Sequence, residues 1–256
     1  MPRGGLDPVF GGPVRSLLVD VGDMAHISEI EPGADYATVA SQGLKSAEKT
    51  TAGARILSWK TKSVMDRLGA LLLLLAIAPL MAVIALAVRL DSPGPVFFRQ
   101  PRFGAGRSVI VVTKFRTMRP EGTDIGGRRQ ATRDDDRVTR IGRFLRKTCL
   151  DELPQIWDVL CGRMSLVGPR PHALVLEVDG QPIEALIPHY HLRHRVRPGI
   201  TGLAQINGNR GPVETVAMGR ERVRYDLEYI ESQSLWLDLR ILFKTLVVPF
   251  QKDGSY

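Results

Sequence analysis

The sequence predicts a mixed α+β fold, mainly helical, with an apolar membrane helix ahead of a polar domain that carries a small β-hairpin. Three observations predict it. Leu68 to Leu90 reads LGALLLLLAIAPLMAVIALAVRL, with Arg89 as its only charge. Val96-Phe97-Phe98 and Ser108 to Val112 are short β-prone runs joined through a glycine-containing turn. Met218 to Ile230 and Trp236 to Val247 place apolar residues at helical spacing among charges.

Residues 1–55 form a separate zone. Gly4, Gly5, Gly11 and Gly12 crowd its start with Pro2, Pro8 and Pro13, and no sustained amphipathic period follows. The zone reads as mostly disordered. It lacks the continuous apolar core that a signal peptide has after its basic residue.

The apolar run comes next. As a straight helix its 23 residues would reach roughly 34 Å, enough to cross a bilayer core. Pro79 sits near its middle. It removes a backbone donor and clashes with the carbonyl four residues earlier, which predicts a bend or a break there. Two halves of about 11 residues would each reach only about 16 Å. That suits a hairpin entering the membrane and returning to the same face. The flanks are basic on both sides, with Lys60, Lys62 and Arg67 before and Arg89, Arg99 and Arg102 after. Positive charge favours the cytoplasmic side. On physics alone, a re-entrant and a spanning helix are both open.

Asp91-Ser92-Pro93-Gly94-Pro95 ends the helix. The hairpin follows, turning at Phe103-Gly104-Ala105-Gly106-Arg107. The two glycines are explained by a turn that needs positive φ better than by a phosphate loop. A basic stripe, Arg137, Arg140, Arg143, Arg146 and Lys147, then leads into Cys149-Leu150-Asp151-Glu152-Leu153-Pro154-Gln155. Two adjacent carboxylates beside a cluster of bases suggest a metal ion and a phosphorylated ligand. The plainer account is two acids complementing a helix dipole. Further on, His189, His191 and His194 stand beside Tyr190, Arg193 and Arg195. Their irregular spacing reads as a surface or headgroup interface rather than a metal centre. In the last apolar pattern, Trp236, Arg240 and Lys244 suit a helix lying in the interface, with a core helix equally open.

A net charge of +8 points to an anionic partner. Aromatics make up only 6% and nowhere alternate with bases, so nucleic acid is not that partner. Cys149 and Cys161 are too few and too far apart for a zinc site or a disulfide framework, which places the chain in a reducing compartment.

Several segments occur together in order: Ser92 to Gln100, Lys114-Phe115-Arg116-Thr117-Met118, Arg137 to Arg146, Asp151-Glu152-Leu153-Pro154-Gln155, Met164 to Pro171 and Arg197 to Gly202. This series resembles the bacterial sugar transferase family, the monotopic phosphoglycosyl transferases of exopolysaccharide, capsule or O-antigen synthesis. The resemblance covers roughly Lys60 to Pro249. It implies transfer of a hexose-1-phosphate from a UDP-sugar to polyprenyl (undecaprenyl) phosphate, with release of UMP. It also implies a re-entrant helix-break-helix over residues 60–92, with Pro79 at the break. A cytosolic catalytic domain with interface helices would then occupy residues 93–250. The expected place is the cytoplasmic face of the bacterial inner membrane. The expected partners are membrane lipids and possible further copies or downstream glycosyltransferases.

The resemblance makes Asp151 the nucleophile, forming a phosphosugar-aspartyl intermediate. Magnesium suits a diphosphate, because it takes one or two carboxylates and keeps waters; Asp151 and Glu152 are its expected ligands. Lys114, Arg146 and Arg170 are the candidate phosphate contacts, since arginine's fork matches phosphate oxygens. Pro169 and Pro171 restrict the backbone around Arg170. Arg137, Arg140 and Arg143 read as a solvated or lipid-facing surface. Cys149 stands where the family more often has Ser, which removes a helix cap and leaves Thr148 or the backbone to replace it. Larger members carry N-terminal spanning helices, so this chain reads as a short form. Two alternatives stand beside this reading: a ternary mechanism with no covalent step, and a non-enzymatic membrane-anchored adaptor whose basic domain binds anionic lipid or an assembly partner.

Overall fold

The structure, a computed structural model, describes residues 52–119 and 135–247. The expectation for residues 1–55 therefore lies outside the described residues, except for its last few positions. Contacts divide the chain between Leu57 and Ser58, and the fold is that of the unit from Ser58 onward.

Helix α1 runs over Ala52–Asp91 with Pro79 inside it. The expected break is not there: one helix continues through the proline. Pro79 removes a single hydrogen bond, and its neighbours are leucine, alanine and isoleucine, which favour helix. Tertiary packing also holds both halves. Ala70, Ile84 and Val88 are buried, and Leu74, Ile77 and Met81 are partly buried between them. Spacings of four and three residues put these six on one stripe. Ahead of the proline the stripe packs on Val112, Ile156, Val159 and Met164. Beyond it, the stripe packs on Phe115 and Leu145. Burying a Val or Ile side chain stabilises by about 1.5–3 kcal/mol, so each half is anchored. The rest of the helix surface stays apolar and exposed, as at Leu72, Leu75, Val83 and Leu86.

The hairpin is as expected, with longer strands. Strand β1, Phe97–Phe103, pairs antiparallel with β2, Val109–Phe115, from Phe97 opposite Phe115 to Phe103 opposite Val109. A 3-10 turn, Ala105–Arg107, joins them, and Gly106 has φ +60°. Arg116 follows β2 and is buried. Its guanidinium donates to the carbonyls of Ser92 (2.7 Å), Val88 (3.3 Å) and Pro93, so it caps the C-terminal end of α1 and fixes where the chain leaves that helix.

Helix α2, Arg140–Lys147, starts at Thr139, whose hydroxyl accepts from the Gly142 amide at 3.0 Å. A 3-10 turn, Leu150–Glu152, leads to α3, Gln155–Leu160. Strand β3, Ser165–Val167, pairs in parallel with β7, Gly199–Thr201. Strand β4, His172–Ala173, adds to the far edge of β1, giving the order β2-β1-β4. A two-residue pair, β5 at Glu177–Val178 and β6 at Gln181–Pro182, precedes α4, Ile183–Leu186. A 3-10 segment, Tyr190–Arg195, comes before β7, and α5, Leu203–Ile206, comes after it.

Helix α6, Val216–Ser232, and α7, Leu235–Val247, close the domain, as the two apolar patterns predict. Helix α7 serves both readings left open for it. Ile241 is fully buried against Val167 and Tyr229, while Trp236, Leu239, Phe243 and Leu246 are exposed. Lys62 of α1 donates to Asp238 of α7 at 2.7 Å, and the Tyr229 hydroxyl lies 2.8 Å from the same carboxylate. A buried polar network thus ties the start of α1 to the last two helices.

Candidate active site

Asp151 and Glu152 occupy the 3-10 turn between α2 and α3, not the first turn of an α-helix. Thr148 does not cap them. Its hydroxyl donates backwards to the Phe144 carbonyl at 2.9 Å, closing α2. The backbone replaces the missing cap: Cys149 takes the left-handed conformation, φ +57°, and reverses the chain into the turn.

The turn opens onto a cavity of about 450 Å³, within the range of small-molecule sites. Lys114, Arg146, Asp151, Glu152 and Arg170, all five candidates named from the sequence, line it. They come from β2, α2, the acidic turn and the Gly168–Pro171 loop. Arg116, Arg193, Arg210 and Arg222 add further cations to the lining. The place where two carboxylates sit is therefore strongly positive.

Glu152 is held by three hydrogen bonds. Lys114 Nζ donates to Oε1 at 2.6 Å. Arg170 spans both oxygens with its fork, at 3.0 Å to Oε2 and with a second bond to Oε1. Burial raises this carboxyl's pKa, but the Arg170 and Lys114 charges and their hydrogen bonds outweigh that and hold it well below the usual range. Glu152 is thus a fixed anion that positions two cations.

Asp151 is its opposite. Its side chain is 8% exposed and makes no hydrogen bond among the described residues. Burial pushes its carboxyl up to about 6, Lys114 opposes that, and the Glu152 charge adds to it. A buried carboxylate without hydrogen bonds, facing a cavity, is reactive ground for a nucleophile.

Hard oxygen donors suit magnesium. Asp151 offers free oxygens, whereas those of Glu152 are occupied by Lys114 and Arg170. The pair fits the ion provided that an incoming diphosphate draws those two cations off Glu152.

Arg170 is held from behind. Arg193 donates to the Arg170 carbonyl at 3.0 Å and, through Nε, to Asp226 of α6 at 2.8 Å. Tyr190 accepts from Arg193 at 2.9 Å. The Tyr190–Arg195 stretch, read from sequence as a surface, is therefore in part core: Tyr190, Arg193 and His194 are buried, while His189 and His191 are exposed. The loop of Arg170 also touches β7 backbone to backbone. A Cβ on Gly199 would lie 2.1 Å from the Gly168 amide nitrogen.

Arg146 donates to the Thr117 hydroxyl at 3.1 Å, at the cavity wall. Arg140 and Arg143 are exposed, as expected, whereas Arg137 pairs with the buried Asp135. Sequence reasoning missed Arg193, Arg210, Arg222 and Asp226. Their one signal was an excess of arginine between Arg193 and Arg224.

Arg170→Lys keeps the charge and loses the planar fork on Glu152. The expected result is at least about a tenfold loss in kcat/KM, roughly 1.4 kcal/mol of transition-state stabilisation. Activity within about twofold of the parent would make Arg170 a structural or purely electrostatic residue.

Fold and site together define a polar domain on one long apolar helix, with a cation-lined cavity that holds two unlike carboxylates. Comparison with known proteins places it more narrowly. Residues 57–252 match the family model described as bacterial sugar transferase. A UDP-glucose:undecaprenyl-phosphate glucose-1-phosphate transferase of Caulobacter vibrioides is 41% identical over 247 residues, 96% of this chain and 84% of that protein. An exopolysaccharide production protein PSS of Rhizobium leguminosarum bv. phaseoli is 47% identical over 76% of this chain and 98% of its own length. An undecaprenyl-phosphate glucose phosphotransferase of Komagataeibacter xylinus is 51% identical, but the chain spans only 35% of it. The chain belongs to the bacterial sugar transferase family.

Proposed function

We propose that this protein transfers hexose-1-phosphate from a UDP-sugar to undecaprenyl phosphate, releasing UMP, as the first membrane step of exopolysaccharide synthesis. Glucose is the sugar we assign, because it is the sugar named for four relatives at 51%, 41%, 49% and 50% identity, against N-acetylgalactosamine for one at 42%. The observation that carries the reading is the contrast at Asp151-Glu152. One carboxylate is free and faces the cavity, and the other holds Lys114 and Arg170 ready for phosphate.

In this reading an Asp151 oxygen attacks the β-phosphorus. The bond from that phosphorus to the bridging oxygen breaks, and UMP leaves with the oxygen. The phosphosugar stays on Asp151 until a phosphate oxygen of undecaprenyl phosphate displaces it and regenerates the carboxylate. Arg170 and Lys114 pass from Glu152 to the diphosphate. Arg146, beside Thr117, is a third phosphate contact. Magnesium, held by Asp151 and Glu152 with the diphosphate, would offset the negative charge between carboxylate and substrate. The two-step route is tested by incubating the protein with UDP-glucose and no lipid acceptor. An adduct of sugar-phosphate mass on the peptide that contains Asp151 is expected. UMP release that strictly requires acceptor, with no adduct, would favour the ternary route.

We also assign the protein to the cytoplasmic face of the inner membrane, with α1 continuous but bent at Pro79 so that it re-enters that leaflet rather than crossing it. Support comes from the stripe on α1. A helix whose polar domain packs along it on both sides of Pro79 has only its outer apolar face left for lipid. The exposed Trp236, Leu239, Phe243 and Leu246 of α7 extend the lipid contact. Pro79→Leu restores the helix's full hydrogen bonding and favours a spanning form. Its expected effect is partial export of the N-terminus and lower activity. The readout is labelling of Gly5→Cys by an impermeant thiol reagent in intact cells, with Cys149 and Cys161 replaced. Labelling of the chain that retains Pro79 before permeabilisation would rule out the re-entrant form.

A further inference from the structure

Away from the acidic turn, three side chains from separate elements converge: His172 on β4, Glu184 on α4 and His194 in the Tyr190–Arg195 segment. One ligand atom from each lies within 4.8 Å of the other two. Both imidazoles are 6% exposed. Both ring nitrogens of His172, and Nε2 of His194, are buried with no hydrogen-bond partner among the described residues. A neutral imidazole has one donor and one acceptor nitrogen. Leaving such a group unpaired in a protein interior costs about 1–3 kcal/mol.

The rings are held in place by packing. Phe103 stacks on His172, with centroids 5.8 Å apart, and meets His194 edge-on at 5.5 Å. Tyr190 meets His172 edge-on at 5.2 Å. A neutral imidazole presents a lone pair to a metal.

We propose that His172, His194 and Glu184 form a zinc site, distinct from the acidic pair Asp151-Glu152. Two imidazole nitrogens and one carboxylate oxygen are a three-ligand zinc set that leaves a fourth position for water. Imidazole donors favour zinc over magnesium or calcium. Zinc–ligand bonds of about 2.0–2.2 Å require the donors to close in by roughly an ångström. Glu184 has the freedom to do so. Its present partner is Arg107, at 2.8 Å, whose side chain is 46% exposed and turns to solvent at little cost. Arg193, the nearest buried cation, is already neutralised by Asp226. The ion joins β4 to the segment of Arg193. His172 lies two residues after Arg170, and Arg193 holds the Arg170 carbonyl. The metal thus braces both sides of the Arg170 loop.

The test uses the full chain in lipid nanodiscs, stripped of metal with a chelator and kept in excess magnesium to fill hard-oxygen sites. Zinc is titrated against a chromophoric competitor, and cobalt is added in parallel for its visible spectrum. One equivalent of zinc, a raised Tm and the intense absorption of tetrahedral cobalt are expected. Glu184→Gln, at a partly exposed position, keeps the fold and weakens zinc binding by about tenfold or more. His194→Asn removes it, and Asp151→Asn leaves it unchanged. Failure of the parent chain to bind an equivalent of zinc overturns the proposal. So does binding that survives in the Glu184→Gln, His194→Asn double variant.

Discussion

Asp151→Asn yields a protein with no measurable transfer and a melting temperature above the parent's. The two effects share one cause. Burial raises the Asp151 carboxyl from an ordinary 3.8 to about 6, so the folded state binds a proton more tightly than the unfolded chain does. Below pH 4 both states are protonated and nothing is lost. As pH rises through 6, the folded state must carry a buried charge at a cost on the order of 3 kcal/mol. Asparagine has nearly the same shape and carries no charge. At neutral pH, without metal or substrate, it should raise Tm by several degrees, since about 1 kcal/mol shifts a domain of this size by 2–4 °C. The gain should vanish near pH 4. Differential scanning calorimetry at pH 4 and pH 7 measures it, and transfer assays on the same samples measure the loss. An asparagine variant that is both active and no more stable would remove Asp151 from the centre of the mechanism.

The second large effect is expected far from the reacting atoms. Asp226→Ala leaves the Arg193 guanidinium, whose side chain is 3% exposed, without its counter-charge. Breaking a buried pair on one side costs about 3–5 kcal/mol, whereas replacing both partners by apolar groups is often neutral. The single variant should lose on the order of 10 °C in Tm. The double variant Arg193→Met, Asp226→Leu should recover most of that stability. It should not recover activity, because the hydrogen bond from Arg193 to the Arg170 carbonyl is then lost. Recovery of both would mean that Arg193 does no more than fill space behind the site.

The local parts of this molecule were legible in its sequence. The hairpin and helices α6 and α7 follow from spacing and turn chemistry within short windows, and the five cavity residues from local charge together with the family resemblance. The parts that were not legible depend on long-range packing. Leu68 to Leu90 is apolar on every face, so composition hid the one stripe, Ala70 to Val88, that faces protein. That stripe is also why Pro79 fails to split the helix: both halves are held by the same domain. Arg193 and Asp226 stand 33 residues apart, and Arg193 sits among bases and histidines that resemble a wet surface. His194 was seen only beside His189 and His191, which are exposed. Its partners His172 and Glu184 lie on other elements. Asp151 and Glu152 were found as a pair, but their opposite roles follow from Lys114 and Arg170 both turning to Glu152.

Which bond of the donor breaks decides whether the sugar moves together with its phosphate. Purified protein in nanodiscs with undecaprenyl phosphate and magnesium is given UDP-glucose labelled at the β-phosphate, with UDP-galactose and UDP-N-acetylgalactosamine run in parallel. Attack at the β-phosphorus carries the label into the lipid fraction and leaves unlabelled UMP in solution, with glucose the preferred sugar. Label left in solution as UDP would mean transfer of sugar without its phosphate, and would contradict the central claim.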